Sequence, residues 1–294
     1  MTVLIVRTVR RWIAALTWVA LACPCSATAQ GPDKELDTPY VPTPQAVVDK
    51  MLDMAQVKSG DMVVDLGSGD GRIMITAAQR HGARGFGVDI DPRLVQRSND
   101  EARRLGVADR VKFLRQDLFN TDFHEANVLT LYLLPDVNMA LRPKILSELN
   151  PGTRVVSHDY DMRDWHPDAE ATVPAPDKKV GMRKESMVYL WIVPARVEGK
   201  WTFELSSGGK TRRSPLVLQQ HFQFVSGSVE LPGQGDVSIS DGRLRGEELR
   251  LVLPPGALDR GPVELVGRVK GDSLIGTVRR GEREVATWSA RRRD

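Results

Sequence analysis

The 294 residues leave room for two domains, and a chain that is 41% hydrophobic and 27% charged is ordinary for a soluble globular protein. The net charge of +3 comes entirely from the start: residues 1–29 hold three arginines and no acid, and the remainder balances at 38 basic against 38 acidic residues. That balance offers no argument for nucleic-acid binding, and with both cysteines (Cys23 and Cys25) in the same opening segment the rest of the chain has no disulfide and no thiolate metal site.

In residues 1–29, Arg7, Arg10 and Arg11 precede an apolar run from Trp12 to Ala22, followed by Ala27-Thr28-Ala29. A basic region, a short apolar region and an A-x-A site together read as a secretory signal cut before Gln30, too short to span a bilayer. The expected location is therefore exported, periplasmic or membrane-associated. Residues 31–38 are polar. Pro39-Tyr40-Val41-Pro42-Thr43-Pro44 is stiffened by its prolines, and Thr43 is expected to cap a helix over 45–55 with Pro44 at its first position. Tyr40, held rigidly just ahead of the first domain, is placed as a lid.

Val63-Val64-Asp65-Leu66 is a short apolar run closed by a carboxylate and a leucine, the pattern of a buried parallel strand. Gly67-Ser68-Gly69-Asp70-Gly71-Arg72 comes next, and Ile73 to Ala78 opens a helix, so a ligand can lie against bare backbone near the positive end of the helix dipole. A dinucleotide turn needs G-x-G-x-x-G, but here the sixth position is Arg72, and Asp65 would repel a pyrophosphate. A ligand with a cationic ammonium and no phosphate fits instead, and S-adenosyl-L-methionine is such a ligand. The turn resembles motif I of the class I methyltransferases. That implies an α/β fold: a Rossmann-like sheet with helices on both faces.

The next two strand ends agree. Gly85 to Ile90 reads as a strand whose Asp89, 24 residues after Asp65, can accept both hydroxyls of a ribose, while Asp91 caps the next helix with Pro92 in its first turn. Val111 to Arg115 is a third strand leading to Asp117, which can accept from an adenine amino group. Across the cofactor the resemblance places Tyr40, Thr43, Asp65, Gly67, Ser68, Gly69, Asp70, Gly71, Asp89, Ile90, Asp117, Leu118 and Tyr132.

A fourth strand over 126–134 ends Tyr132-Leu133-Leu134-Pro135 and lacks the Asn/Asp-Pro-Pro-aromatic tetrad of enzymes that methylate DNA bases or glutamine amides. A helix begins at Asp136, with a break or restart expected at Pro143, and a fifth strand runs over 153–158. His158, Asp159, Tyr160, Asp161 and Trp165 lie on its carboxyl-end loop, and no Cys/His cluster points to a metal. Tyr40-Val41-Pro42-Thr43, the glycine turn, Tyr132-Leu133-Leu134-Pro135 and Leu141-Arg142-Pro143-Lys144 are similar to the small lysine methyltransferases that include the mitochondrial ATP-synthase c-subunit enzyme. More distantly they resemble the non-SET histone-lysine methyltransferases. Asp89 departs from the glutamate those relatives tend to carry. The resemblance implies a lysine acceptor that is desolvated in an aromatic channel, for which Tyr40, Tyr132 and Trp165 are the candidate walls.

Val188 to Val193 is a further strand of this first domain, taken as residues 30–196. From 197 to 294 short alternating runs separated by Gly-containing turns predict a small antiparallel barrel or sandwich without a catalytic constellation. It is read as a stabilising or partner-binding module. Three functions stay open: methylation of a protein lysine, methylation of a small-molecule acceptor near a membrane, and an exported scaffold built on a degenerate methyltransferase domain.

Overall fold

In the computed structural model, residues 40–231 and 233–293 are described, so the predicted leader at 1–29 lies outside the described residues. A seven-stranded sheet has the order β3-β2-β1-β4-β5-β7-β6. Its strands are β1 (Met62–Leu66), β2 (Arg84–Asp89), β3 (Val111–Arg115), β4 (Val128–Leu131), β5 (Arg154–His158), β6 (Ala169–Pro174) and β7 (Glu185–Ile192). β1 to β5 are mutually parallel, and β7 runs antiparallel to both β5 and β6. The order reverses between β1 and β4, the place where an open α/β sheet leaves a crevice beyond its carboxyl edge.

Strands this apolar are buried on both faces, and β1 shows why. Val63 packs into one core with α1 (Gln45–Met54) and α2 (Arg72–His81), whereas Val64 and Leu66 point to the other, which contains Leu141 and Ile145 of α4 (Pro135–Glu148). Ala102 of α3 (Pro92–Arg104) joins the first core. α1 has only 10 residues and would not persist alone; Val47, Val48, Met51 and Leu52, all fully buried, hold it at roughly 1.5–3 kcal/mol each.

Three local expectations change. Thr43 makes no capping hydrogen bond, and Pro44 itself is the N-cap of α1. α4 runs unbroken through Pro143, starting at Pro135. β6 is an additional edge strand, too polar on its outer positions to read as one from sequence.

The remaining strands are β8 (Gly199–Ser207), β9 (Lys210–His221), β10 (Phe224–Leu231), β11 (Gly235–Ser238), β12 (Asp241–Arg245), β13 (Glu248–Leu253), β14 (Val263–Lys270), β15 (Ser273–Arg280) and β16 (Arg283–Arg292). Consecutive antiparallel pairing, with β16 on β8 and β9 on β10, closes eight of them into a barrel, and β11 extends β10 as a short hairpin. Eight strands leave an interior that side chains fill, and Trp201, Phe203, Leu251, Leu265 and Trp288 fill it. The barrel meets the first sheet through the turn after β9: Phe222 stacks on Trp165 with ring centres 5.9 Å apart, and Gln223 Nε2 donates to the His166 carbonyl at 2.6 Å.

Candidate functional site

The glycine turn is fixed from below by β2. The amides of Gly67 and Ser68 both donate to the Val88 carbonyl at 2.9 Å, and the Gly69 amide donates to Asp89 Oδ2 at 2.9 Å. Gly69 (φ 54°) and Gly71 (φ 79°, the N-cap of α2) sit in the left-handed region, where a Cβ is strained. At Gly69 a Cβ would also come within 2.6 Å of the Tyr40 ring, so glycine here lets the N-terminal arm lie directly on the turn.

That arm is tied down by charge. Asp70 takes Arg72 in a two-point pair, Nε at 2.9 Å and Nη2 at 2.6 Å, while Arg72 Nη1 donates to the Thr43 carbonyl at 2.8 Å. Burial, followed by the hydrogen bond to Asp70, pushes the Tyr40 hydroxyl up to about 12, so it stays protonated and donates to that carboxylate. Despite its partial burial, Asp70 is held below the usual carboxylate range by Arg72 and Tyr40.

Asp65 is the anomaly that points to a ligand. It is 1% exposed; Oδ1 accepts from Thr130 Oγ1 at 2.7 Å, and Oδ2 has no partner among the described residues. Burial pushes its pKa from 3.8 to about 7, against the lowering effect of Thr130 and with help from Asp89 and Asp70. A buried carboxyl oxygen without a partner is costly unless something cationic completes it. The neighbouring Ser68 Oγ is also buried without a partner among the described residues. The methionine end of S-adenosyl-L-methionine brings an ammonium and a sulfonium, and the residues present fit it. Asp65, Ser68 and the glycine turn would hold the amino-acid end, and Asp89 the ribose. When bound, the cofactor supplies an electrophilic methyl group on sulfur.

The sequence-predicted residues fall into three groups. Tyr40, Thr43, Asp70 and the glycines meet at the turn. Asp89 accepts from the amides of Gly69 and Asp91, each at 2.9 Å, with Ile90 exposed beside it. Asp117 accepts from the Phe119 amide at 2.9 Å and so caps the short 3-10 turn Leu118–Asn120 past the end of β3. Tyr132, past β4, is half-buried and stacks on His158 with centres 3.8 Å apart, while Tyr160 lies parallel at 6.3 Å. Trp165 does not join them. It is fully buried between Trp191, 5.8 Å away, and Phe222, and so is a core residue rather than a channel wall.

His158 is the residue that the sequence shows but does not rank. Fully buried at the end of β5, it places Nδ1 3.2 Å from Thr43 Oγ1 and Nε2 2.9 Å from Ser186 Oγ. These contacts explain why Thr43 leaves the helix end uncapped: its hydroxyl satisfies a buried ring, and the exposed start of α1 can use water. Burial depresses His158 to about 4, only partly offset by Asp159, so the ring is neutral at pH 7. Thr130 and Ser186 were beyond reach of sequence reasoning, since neither stands in a motif.

A family model described as the ANTKMT methyltransferase domain matches residues 65–169. The protein-lysine N-methyltransferase of Saccharolobus islandicus (strain REY15A) is 45% identical over 130 residues, covering 44% of this chain and 81% of that protein. The ATP synthase c-subunit lysine N-methyltransferase of Xenopus laevis is 34% identical over 149 residues, 51% of this chain and 64% of that one. Among solved structures, an RNA methyltransferase from Salinibacter ruber in complex with S-adenosyl-L-homocysteine shares 50% identity over 53% of this chain and 96% of that chain, with a TM-score of 0.48. The glycine turn, the three strand-end carboxylates, the family model and the Saccharolobus enzyme converge: the chain belongs to the protein-lysine N-methyltransferase family of S-adenosyl-L-methionine-dependent enzymes.

Proposed function

We propose that the chain transfers a methyl group from S-adenosyl-L-methionine to the side-chain nitrogen of a lysine in a protein. The observation that carries this reading is the aromatic wall beside the cofactor turn: half-buried Tyr132 with Tyr160 parallel to it, backed from the core by a neutral, fully buried His158 stacked on Tyr132. Methyl transfer from a sulfonium is an in-line displacement that needs an aligned, unprotonated nitrogen and little acid–base chemistry. Such a wall solvates an ammonium poorly and so favours the neutral amine. Burial raises the Tyr132 hydroxyl to about 12, so that ring stays neutral. The names of the matched relatives support a lysine in a protein over a small molecule.

The unpartnered Asp65 oxygen argues against a degenerate scaffold, because a site that no longer bound cofactor would have no reason to keep a buried, unsatisfied carboxyl. Export through residues 1–29 and a partner-binding role for residues 197–294 belong to the same proposal, with Gln30 as the first residue after cleavage. A reporter enzyme that works only outside the cytoplasm, fused after Gln30, should be active; silence at normal expression would remove the leader. For the acceptor, the full chain is given methyl-labelled cofactor with unstructured lysine peptides, the same peptides with arginine, free amines and a transcript RNA. Label should enter lysine peptides only. Label in RNA or in free amines alone would replace this reading.

A further inference from the structure

The hairpin joining β6 to β7 crosses the carboxyl edge beside β5. From residue 176 to 185 every residue on it is exposed except Lys178. Lys178 turns inward, its side chain 12% exposed, with Nζ 2.8 Å from Asp159 Oδ2 and donating to the Glu185 carbonyl at 2.8 Å. Asp159 is itself unusual. Its φ of 62° is left-handed, a conformation that non-glycine residues adopt chiefly as Asn or Asp and often at functional sites. Its Oδ1 accepts from the Met187 amide at 3.0 Å, and Oδ2 lies 3.4 Å from His158 Nε2.

A lysine ammonium therefore already sits on a carboxylate, one imidazole ring away from Tyr132. Stability alone does not call for this, since a mostly buried ion pair returns little beyond its desolvation cost and an apolar pair would serve a hairpin as well. Ala175 anchors the start of the loop in the core, but no other side chain from 176 to 185 is buried, so exchanging Lys178 for another ammonium disturbs few contacts.

We propose that Asp159 recognises the ammonium of the acceptor, and that Lys178 occupies that place until an acceptor displaces it. The inference rests on the lysine reading above and deepens it by naming the specificity residue. Transfer needs the neutral amine, so Asp159 acts at capture: an arriving ammonium exchanges with Lys178 and then gives its proton to solvent water, and the neutral nitrogen would take the methyl along the Tyr132 wall, with S-adenosyl-L-homocysteine as the leaving group. Loss of Asp159 should raise KM for lysine peptides and leave kcat at saturation nearly unchanged.

The decisive probe is n-butylammonium, titrated into the full chain saturated with S-adenosyl-L-homocysteine. Lys178→Met should bind it about tenfold more tightly than wild type, the scale of one ion pair no longer contested, and adding Asp159→Asn should remove the gain. Asparagine keeps the size and the left-handed tolerance of the position, and unchanged S-adenosyl-L-homocysteine affinity shows each variant folded. Equal binding by wild type and Lys178→Met would overturn the displacement. A double variant that binds as tightly as Lys178→Met would overturn Asp159 as the recognising group, and so would a loss of S-adenosyl-L-homocysteine affinity in Asp159→Asn, which would assign it to the scaffold. These outcomes do not depend on the natural acceptor. Failure to methylate any lysine peptide would sink the lysine reading, while the butylammonium series still judges Asp159.

Discussion

Asp65 shows how a single side chain can cost stability and define a site. Folded, its pKa of about 7 stands above the ordinary 3.8, so between about pH 4 and 7 the native chain keeps a proton that the unfolded chain has lost. The stability this group contributes is then full in acid and declines as pH rises through 7. Asp65→Asn lacks that dependence. Relative to wild type, the ligand-free variant should gain on the order of 2–3 kcal/mol between pH 5 and pH 8, read as the change in the Tm difference. A difference that does not move with pH would mean the carboxyl is ionised in the native chain. Sequence reading succeeded at this scale wherever one residue type alone satisfies the local geometry. Gly69 and Gly71 hold left-handed backbone, and Asp65 and Asp89 close strands that register beside one another. It failed at Trp165, because an aromatic on a carboxyl-end loop reads the same whether it faces a cleft or, as here, Trp191 and Phe222.

Among the elements, the arm from Tyr40 to Pro44 depends most on one tie. Arg72 stands at the first turn of α2 and reaches both Asp70 and the Thr43 carbonyl, so it fastens the arm across the turn that begins its own helix. Arg72→Ala should leave Asp70 short of its partner, cost about 1–2 kcal/mol and free the arm. Amide exchange at residues 41–48 should accelerate while that of β1 holds; unchanged exchange in the arm would mean that Tyr40 and the prolines suffice. The sequence revealed the stiffness of this arm but not its anchor, since the contact between Arg72 and Thr43 joins residues 29 apart. Two other elements escaped for the opposite reason. α4 continues through Pro143 because Leu141 and Ile145 on either side are fully buried, and packing outweighs the lost backbone bond. β6 is an edge strand of Ala-Glu-Ala-Thr-Val-Pro with only Val173 buried, too little apolar alternation to announce a strand.

At the scale of the whole molecule, the sheet and the barrel are joined through a few strong contacts. Phe222 covers Trp165 and lies under the Arg142 guanidinium at 5.2 Å, and Arg243 Nη2 meets Asp168 Oδ1 at 3.2 Å. The loop after β5 is thus roofed by the barrel, which gives the barrel a structural reason to be there. Phe222→Ala should cost about 1–3 kcal/mol and uncouple the two parts, turning one calorimetric unfolding transition into two. Two transitions already present in wild type would show that the contact carries no coupling. The change from helical to alternating pattern made the barrel legible, but nothing in the sequence said that Phe222 would reach across to Trp165. The cofactor site can be tested on the intact protein by titrating S-adenosyl-L-methionine into the full chain at pH 7, in buffers of different ionisation enthalpy. With Asp65 near half-protonation, the predicted result is binding by wild type that releases about half a proton more than binding by Asp65→Asn, with weaker affinity in the variant. Equal affinity and equal proton release in the two proteins would contradict a cofactor held by Asp65.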